Sequence, residues 1–230
     1  MIGKDSSEDG DHWISISDMM SGLMMVFLFI AISYMINVVR EKDKIKEIAI
    51  TYNKLQTELY QALDSAFRDK LDEWEAEIDR QTLSITFNSP DVLFERDSYY
   101  IRPKFRTILD EFFPTYIQIL SSDKYREDIE EIRIEGHTSS EAAALSIDEA
   151  YFYNMRLSQD RTRSVLEYVL NLPQVDNNKS WIREHLTANG LSSSKLIFDD
   201  FGKENRFRSR RVEFRVRTNA EKRIVKIISE

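Results

Sequence analysis

The chain has 230 residues, 42% of them hydrophobic and 31% charged, with a net charge of -8 and no cysteine. The acidic balance argues against nucleic-acid binding, which calls for a basic face, and the absence of cysteine excludes disulfides, Cys-zinc sites and thiol catalysis. Three histidines (His12, His137 and His185) lie far apart, so neither a metal nor a cofactor is expected, and no nucleophile–base set points to an enzyme.

Residues 12–39 read HWISISDMMSGLMMVFLFIAISYMINVV, with Asp18 the only formally charged side chain. About 20 helical residues cross the roughly 30 Å hydrocarbon core of a bilayer. Residues 13–39 are therefore expected as a transmembrane helix behind a short tail, 1–12. A cleavable signal would carry a basic start and a short apolar core. Here Lys4 stands against Asp5, Glu8, Asp9 and Asp11, and the apolar run is too long, which favours a retained anchor.

A carboxylate within that core costs at least ~2.5 kcal/mol, so an ionisable residue there marks function by default. The alternative is that Asp18 snorkels at the headgroup boundary or caps the helix. On a helix, Ser15, Asp18, Ser21, Gly22 and Met25 fall on one stripe. Small residues on that stripe allow close approach of a second helix, whereas Phe27, Ile30 and Tyr34 supply bulk elsewhere. Asp18 is thus expected to face protein, with plain homodimer packing as the other reading of the small residues. The flank after the span holds Arg40, Lys42, Lys44 and Lys46 against Glu41 and Asp43. By the positive-inside rule alone this flank, and the body behind it, would be cytoplasmic.

Residues 40–80 are expected as a helical stalk. Apolar residues recur at Ile45, Ile48, Tyr52, Leu55, Leu59 and Ala62, the spacing of a coiled-coil seam. Leu63, Phe67, Leu71, Trp74 and Ile78 continue a helical period on a rotated face. A parallel dimer fits the first set, and one amphipathic helix packed on the following domain fits both.

From residue 81 to 220 an α+β domain is expected, a mixed sheet covered by helices, with a tail at 221–230. Residues 83–87 alternate as a strand, Asn88-Ser89-Pro90 marks a turn, and Pro103 opens a helix with the stripe Phe105, Ile108, Leu109, Phe112 and Phe113. Residues 129–136 read as a strand, and 154–170 as a helix burying Leu157, Val165, Tyr168 and Val169 before Pro173 stops it. A short helix near 181–186 precedes a turn signal at Asn189-Gly190, and strands fit 196–201 and 211–217. Two β-α-β passages suggest helices packed on a small sheet.

At this point the residues meet a family. DVLFE at 91–95, IRPKF at 101–105, IRIEGHTS at 132–139, NMRLSQDR at 154–161, ANGLSSSKL at 188–196 and SRRVEF at 209–214 stand in one order. In that order they resemble the OmpA-like peptidoglycan-binding domains of flagellar stator B subunits, the MotB family. The N-terminus resembles the same family separately: Trp13, then Asp18 five residues later, then Met19, Met20, Met24 and Met25. The form WISxSDMM is most similar to the B subunits of Zorya anti-phage systems, ZorB.

The resemblance implies an inner-membrane subunit of a proton-driven, stator-like motor, with the N-terminus cytoplasmic and the C-terminal domain periplasmic, against the charge rule above. It implies a homodimer of this chain inside a ring of multi-span A-type subunits, five copies around two, with Asp18 binding and releasing protons. It also implies peptidoglycan held by Arg161, with Thr138, Ser139, Leu157 and Ser158 around it. The family's Asp, partner of the ligand ammonium, is replaced by Ser139. Glu141, Asp148 and Glu149 are the carboxylates close by in sequence. Arg210 and Arg211 are expected to tie the last strand to neighbouring acids. Alternatives are a flagellar stator role, an OmpA-like tether in which Asp18 is incidental, a module recognising another envelope protein, and a domain kept for dimerisation alone.

Overall fold

The computed structural model describes residues 8–88, 93–141 and 145–219, with side chains described from residue 16 onward except Thr51. These residues fall into two units, one reaching Thr51 and one starting at Tyr52. The expected turn residues Ser89 and Pro90, the start of the DVLFE motif and the tail at 221–230 lie outside the described residues, as do the side chains of Trp13 and Ser15.

Helix α1, Glu8–Trp74, runs through the division. In the first unit it is long and apolar enough to cross a membrane, and the apolar side chains between Ile16 and Val39 are bare. Met19 is 78% exposed, Phe27 63% and Phe29 70%. Burying one such side chain is worth ~1.5–3 kcal/mol, so this surface calls for lipid or a partner helix. The helical backbone puts Asp18, Ser21, Gly22 and Met25 on one stripe, as expected.

From Tyr52 the same helix belongs to the domain. Leu59, Leu63, Phe67 and Trp74 are buried, with Leu55 and Leu71 packed beside them. The helix ends at Trp74 and not near residue 80, and residues 52–74 form an amphipathic stretch packed on the domain core. Glu75 takes a left-handed backbone (φ 51°) and reverses the chain. Strand β1, Ala76–Asp79, follows, so Ile78 is in a strand and not on the helix. The Asp79 carboxylate closes the hairpin to β2, Ser84–Phe87, by accepting from the backbone N–H of Gln81 (2.8 Å) and Thr82 (2.7 Å).

Helix α2, Pro103–Leu120, buries all five residues of its expected stripe. Strand β3, Ile129–Gly136, falls where the alternation places it. Helix α3, Ile147–Leu170, starts seven residues before the expected 154 because Ser146 and Glu149 form a capping box. A 3-10 turn, Pro173–Asn178, leads to α4, Lys179–His185, and then to β4, Leu186–Gly190. Helix α5, Arg206–Ser209, is one turn, and β5, Val212–Thr218, ends the described chain.

The sheet has the order β1-β2-β5-β3-β4. Strands β2 and β3 both run antiparallel to β5, and β4 runs parallel to β3. Two β-α-β passages result, β2–α2–β3 and β3–α3–α4–β4. One sheet face buries Ile85, Phe87, Ile132, Ile134, Phe214 and Val216 among the core. Aromatic rings centre it: Phe112 lies 5.2 Å from Phe67, 5.2 Å from Phe87 and 5.0 Å from Phe214.

The fourth strand departs from expectation. The segment 196–201 forms no strand beyond a single bridge from Phe198 to Glu204, and the strand lies at Leu186–Gly190 instead. Asn189-Gly190 reads as a turn in one dimension because glycine and asparagine suit turns. Here the glycine answers a close approach: a Cβ at Gly190 would sit 2.3 Å from the backbone nitrogen of Gln159 on α3. Its register partner Gly136 is equally crowded, with Thr162 Cγ2 at 2.6 Å. Side by side, the two glycines let α3 settle onto the strand ends and carry Arg161 there.

Candidate functional site

A cleft of about 710 Å³ opens beyond the end of β3. Three segments wall it: residues 94–97 before α2, residues 138–141 after β3, and the α3 face bearing Tyr153, Leu157 and Arg161. Those three residues are spaced by four, so they share a stripe. Arg210, just before β5, completes the wall.

Arg161 holds the first segment. Its Nε donates to the Ser98 carbonyl (2.8 Å) and its Nη2 to the Glu95 carbonyl (3.3 Å). Its guanidinium carbon lies 5.0 Å from the centre of the Phe94 ring. Burial pulls its pKa down to about 10, opposed by the charge of Asp97, so it stays cationic at neutral pH. No carboxylate pairs with it among the described residues.

The remaining expected residues divide. Thr138 and Ser139 are each 4% exposed at the cleft wall. Thr138 N–H donates to the Ser192 carbonyl (3.0 Å), and buried Asn154 donates through Nδ2 to the Ser139 carbonyl (3.2 Å). The Thr138 hydroxyl is buried with no hydrogen-bond partner. Leu157 is half-buried in the wall. Ser158 does not join them at the cleft: it is 1% exposed, donates to the Met155 carbonyl (2.9 Å) and accepts from Ser192 N–H (3.1 Å). It fastens α3 to the chain after β4.

Of the three nearby carboxylates, only Glu141 lines the cleft, and it is paired with Arg206 at 3.4 Å. Glu149 is engaged by Ser146, whose hydroxyl holds the carboxyl below its ordinary range. Asp148 is exposed and does not line the cleft. Asp97 does line it, 3.8 Å from Arg96, on a left-handed backbone (φ 51°).

The two adjacent arginines separate. Arg211 is structural as expected, 2.6 Å from Glu213 and bonded to the carbonyls of Lys195 and Ser209. Arg210 departs from the expectation that it ties the strand to an acid: no carboxylate pairs with it among the described residues. It faces the cleft, and its Nε is buried without a hydrogen-bond partner. A Ser-Arg-Arg run gives no signal for this, because only the start of β5 decides which arginine turns inward.

Below the cleft, on the polar sheet face, Glu135, His137 and Glu213 bring their ligand atoms within 4.8 Å of one another. Their charges are already met: Glu213 pairs with Arg211 at 2.6 Å and Glu135 lies 3.8 Å from Arg133. His137 is 5% exposed, and burial, aided by Arg211 and Lys195, pulls its pKa down to about 3. It is neutral at pH 7.

An apolar exposed helix followed by this domain is the architecture of a stator-B-like subunit, and residues 93–219 match the OmpA family. Over 234 aligned residues the chain is 50% identical to the Zorya protein ZorB of Escherichia coli strain Crooks, covering 100% of this chain and 99% of that one. The chain therefore belongs to the ZorB family and carries an OmpA-family domain. Solved structures similar to it include a MotB-like protein from Desulfovibrio vulgaris, 24% identical with TM-score 0.46, covering 77% of this chain and 98% of that chain. The periplasmic domain of Helicobacter pylori MotB is 20% identical with TM-score 0.46, covering 66% of this chain and 88% of that chain.

Proposed function

We propose that this chain is the B-type subunit of a proton-driven, stator-like motor of the bacterial inner membrane, acting in Zorya anti-phage defence. The observation that carries the reading is Asp18, the one charge in an exposed apolar helix long enough to span a bilayer. Two copies of the span sit within a ring of five multi-span A-type subunits. Asp18 gains and loses a proton there, and the change of charge alters its attraction to the surrounding helices. No covalent catalysis is needed, and no cofactor. Ser21, one turn on, is placed to orient water or the carboxyl group.

The domain anchors the complex. It lies in the periplasm, with the N-terminus cytoplasmic, and its cleft holds peptidoglycan through Arg161, flanked by Thr138, Ser139 and Leu157. The family membership favours this orientation over the basic flank at 40–46, whose charge signal a ring of partner helices outweighs. A periplasmic reporter fused after residue 230 is active under this reading and silent under the reverse.

The central test is Asp18→Asn. Proton flux and phage protection are lost, while the complex with the A-type subunit still purifies intact. A variant that keeps full protection would overturn the reading.

A further inference from the structure

We propose that Arg215, with Arg133 and Arg217 beside it, forms a site for a terminal phosphate group on the polar face of the sheet. This site and the cleft share no lining residue, so it stands whether or not the cleft holds peptidoglycan.

A basin of about 280 Å³ is walled by the domain part of α1, the β1–β2 turn and the last residues of β5. Three of its lining side chains are arginines and none is acidic. The chain as a whole carries 40 acidic residues against 32 basic ones, so the basin runs against the charge of the molecule.

The strand register brings the three together. Arg215 of β5 lies opposite Arg133 of β3, and Arg217 lies opposite Glu131. Like charges directly opposite destabilise a sheet, and here the charge is only partly answered. Glu131 serves both outer arginines, at 2.7 Å from Arg133 and 3.4 Å from Arg217. Glu135 stands 3.8 Å from Arg133, and Glu130 3.8 Å from Arg217. Half-buried Arg215 forms no ion pair among the described residues, and its partner on the other side is the uncharged Ser84. Asp79 and Glu135 attract it from longer range. The Asp79 carboxylate is already taken by the N–H groups of Gln81 and Thr82.

An anion entering the basin relieves this repulsion. One guanidinium fork satisfies a carboxylate. A terminal phosphate carries about -1.5 to -2 charges on three acceptor oxygens, so it uses a second fork as well, and arginine is the side chain suited to it. The volume lies just under the ~300–1,000 Å³ of small-molecule pockets, which fits a free ion or a headgroup. The rim is fixed in advance. Gln56 of α1 donates through Nε2 to the carbonyls of Arg80 (3.1 Å) and Gln81, which pins the β1–β2 turn beside the basin. Tyr52 and Thr82 add hydroxyl groups to the wall.

The test titrates the full chain in a non-ionic detergent by isothermal calorimetry. The probes are inorganic phosphate and dihexanoyl phosphatidic acid, whose headgroup is a terminal phosphate. Sodium chloride at matched ionic strength and dihexanoyl phosphatidylcholine are the controls. Arg215→Gln is expected to weaken phosphate binding by about tenfold or more. Arg215→Lys, which keeps the charge and loses the fork, should fall between. Arg217→Gln, at the more exposed rim, should cause a smaller loss and serves if Arg215→Gln does not fold, as judged by near-ultraviolet circular dichroism. Arg161→Ala, in the cleft, should leave phosphate affinity unchanged.

Arg215-dependent binding of the phosphatidic acid supports a site open to a lipid headgroup, and of free phosphate alone a site closed to lipid. The site is overturned if neither probe binds, if the signal follows ionic strength or matches phosphatidylcholine, or if the folded Gln variant binds as tightly as the unaltered chain.

Discussion

His137 shows how one side chain couples the fold to pH. In the unfolded chain a histidine titrates near 6.5, whereas in the fold burial holds His137 at about 3. Between those values the unfolded state binds the extra proton, so this contribution is complete above about pH 6.5 and is lost as pH falls. The slope is ~1.4 kcal/mol per pH unit. Glu135, raised by burial, acts in the opposite sense closer to the carboxylate range. Urea unfolding at pH 6.5 and pH 5 should therefore show a drop of about 1–2 kcal/mol. His137→Gln should flatten it; an unchanged slope in that variant would assign the effect elsewhere. The same scale explains what could be read of the cleft. Arg161 is legible because a run of LSxxR type marks it, and Ser139 because it interrupts GHT followed by an acid. Arg210 is not, since a pair of arginines carries no sign of which one will turn toward a cleft.

At the scale of elements, α1 is the instructive case. Its 3-4 spacing is plain in sequence, but spacing does not say what the stripe meets. Leu59, Leu63 and Phe67 are buried in the same cluster as α2 and the sheet, with Phe67 against Phe112 of α2, so they are core residues of the domain. Phe67 is 2% exposed and packs on both Trp74 and Phe112. Phe67→Ala should cost about 3–5 kcal/mol of domain stability, measured by chemical denaturation with the full chain in detergent. A loss under about 1 kcal/mol would mean that this stretch acts as a separate stalk. Strand β4 teaches the reverse lesson. Asn189-Gly190 carries a local turn signal, but the tight seat of α3 on Gly190 is a contact between distant segments. Nothing local could reveal it.

For the whole molecule, the division at Tyr52 makes a concrete demand. A fragment of residues 52–219 keeps Leu59, Leu63, Phe67 and Trp74, and should be soluble and unfold in one cooperative transition. A fragment of residues 81–219, cut at the boundary that the sequence pattern suggests, also lacks β1 and bares the aromatic cluster around Phe112. It should aggregate or lose its cooperative transition, as followed by near-ultraviolet circular dichroism and size-exclusion chromatography. Equal behaviour of the two fragments would place the domain boundary back after the helix.

By itself the sequence determined the apolar span with its single carboxylate, the α+β class, most of the strands and helices, and the motif that carries Arg161. These are local properties: periodicity, uninterrupted hydropathy and short runs with a fixed spacing. Only the tertiary structure decided that the end of α1 belongs to the core, that β4 lies at Leu186–Gly190, that Ser158 is a fastener, and that Arg210 joins Arg161. Each of those depends on which surface of a segment meets a distant one, and packing, not spacing, settles it.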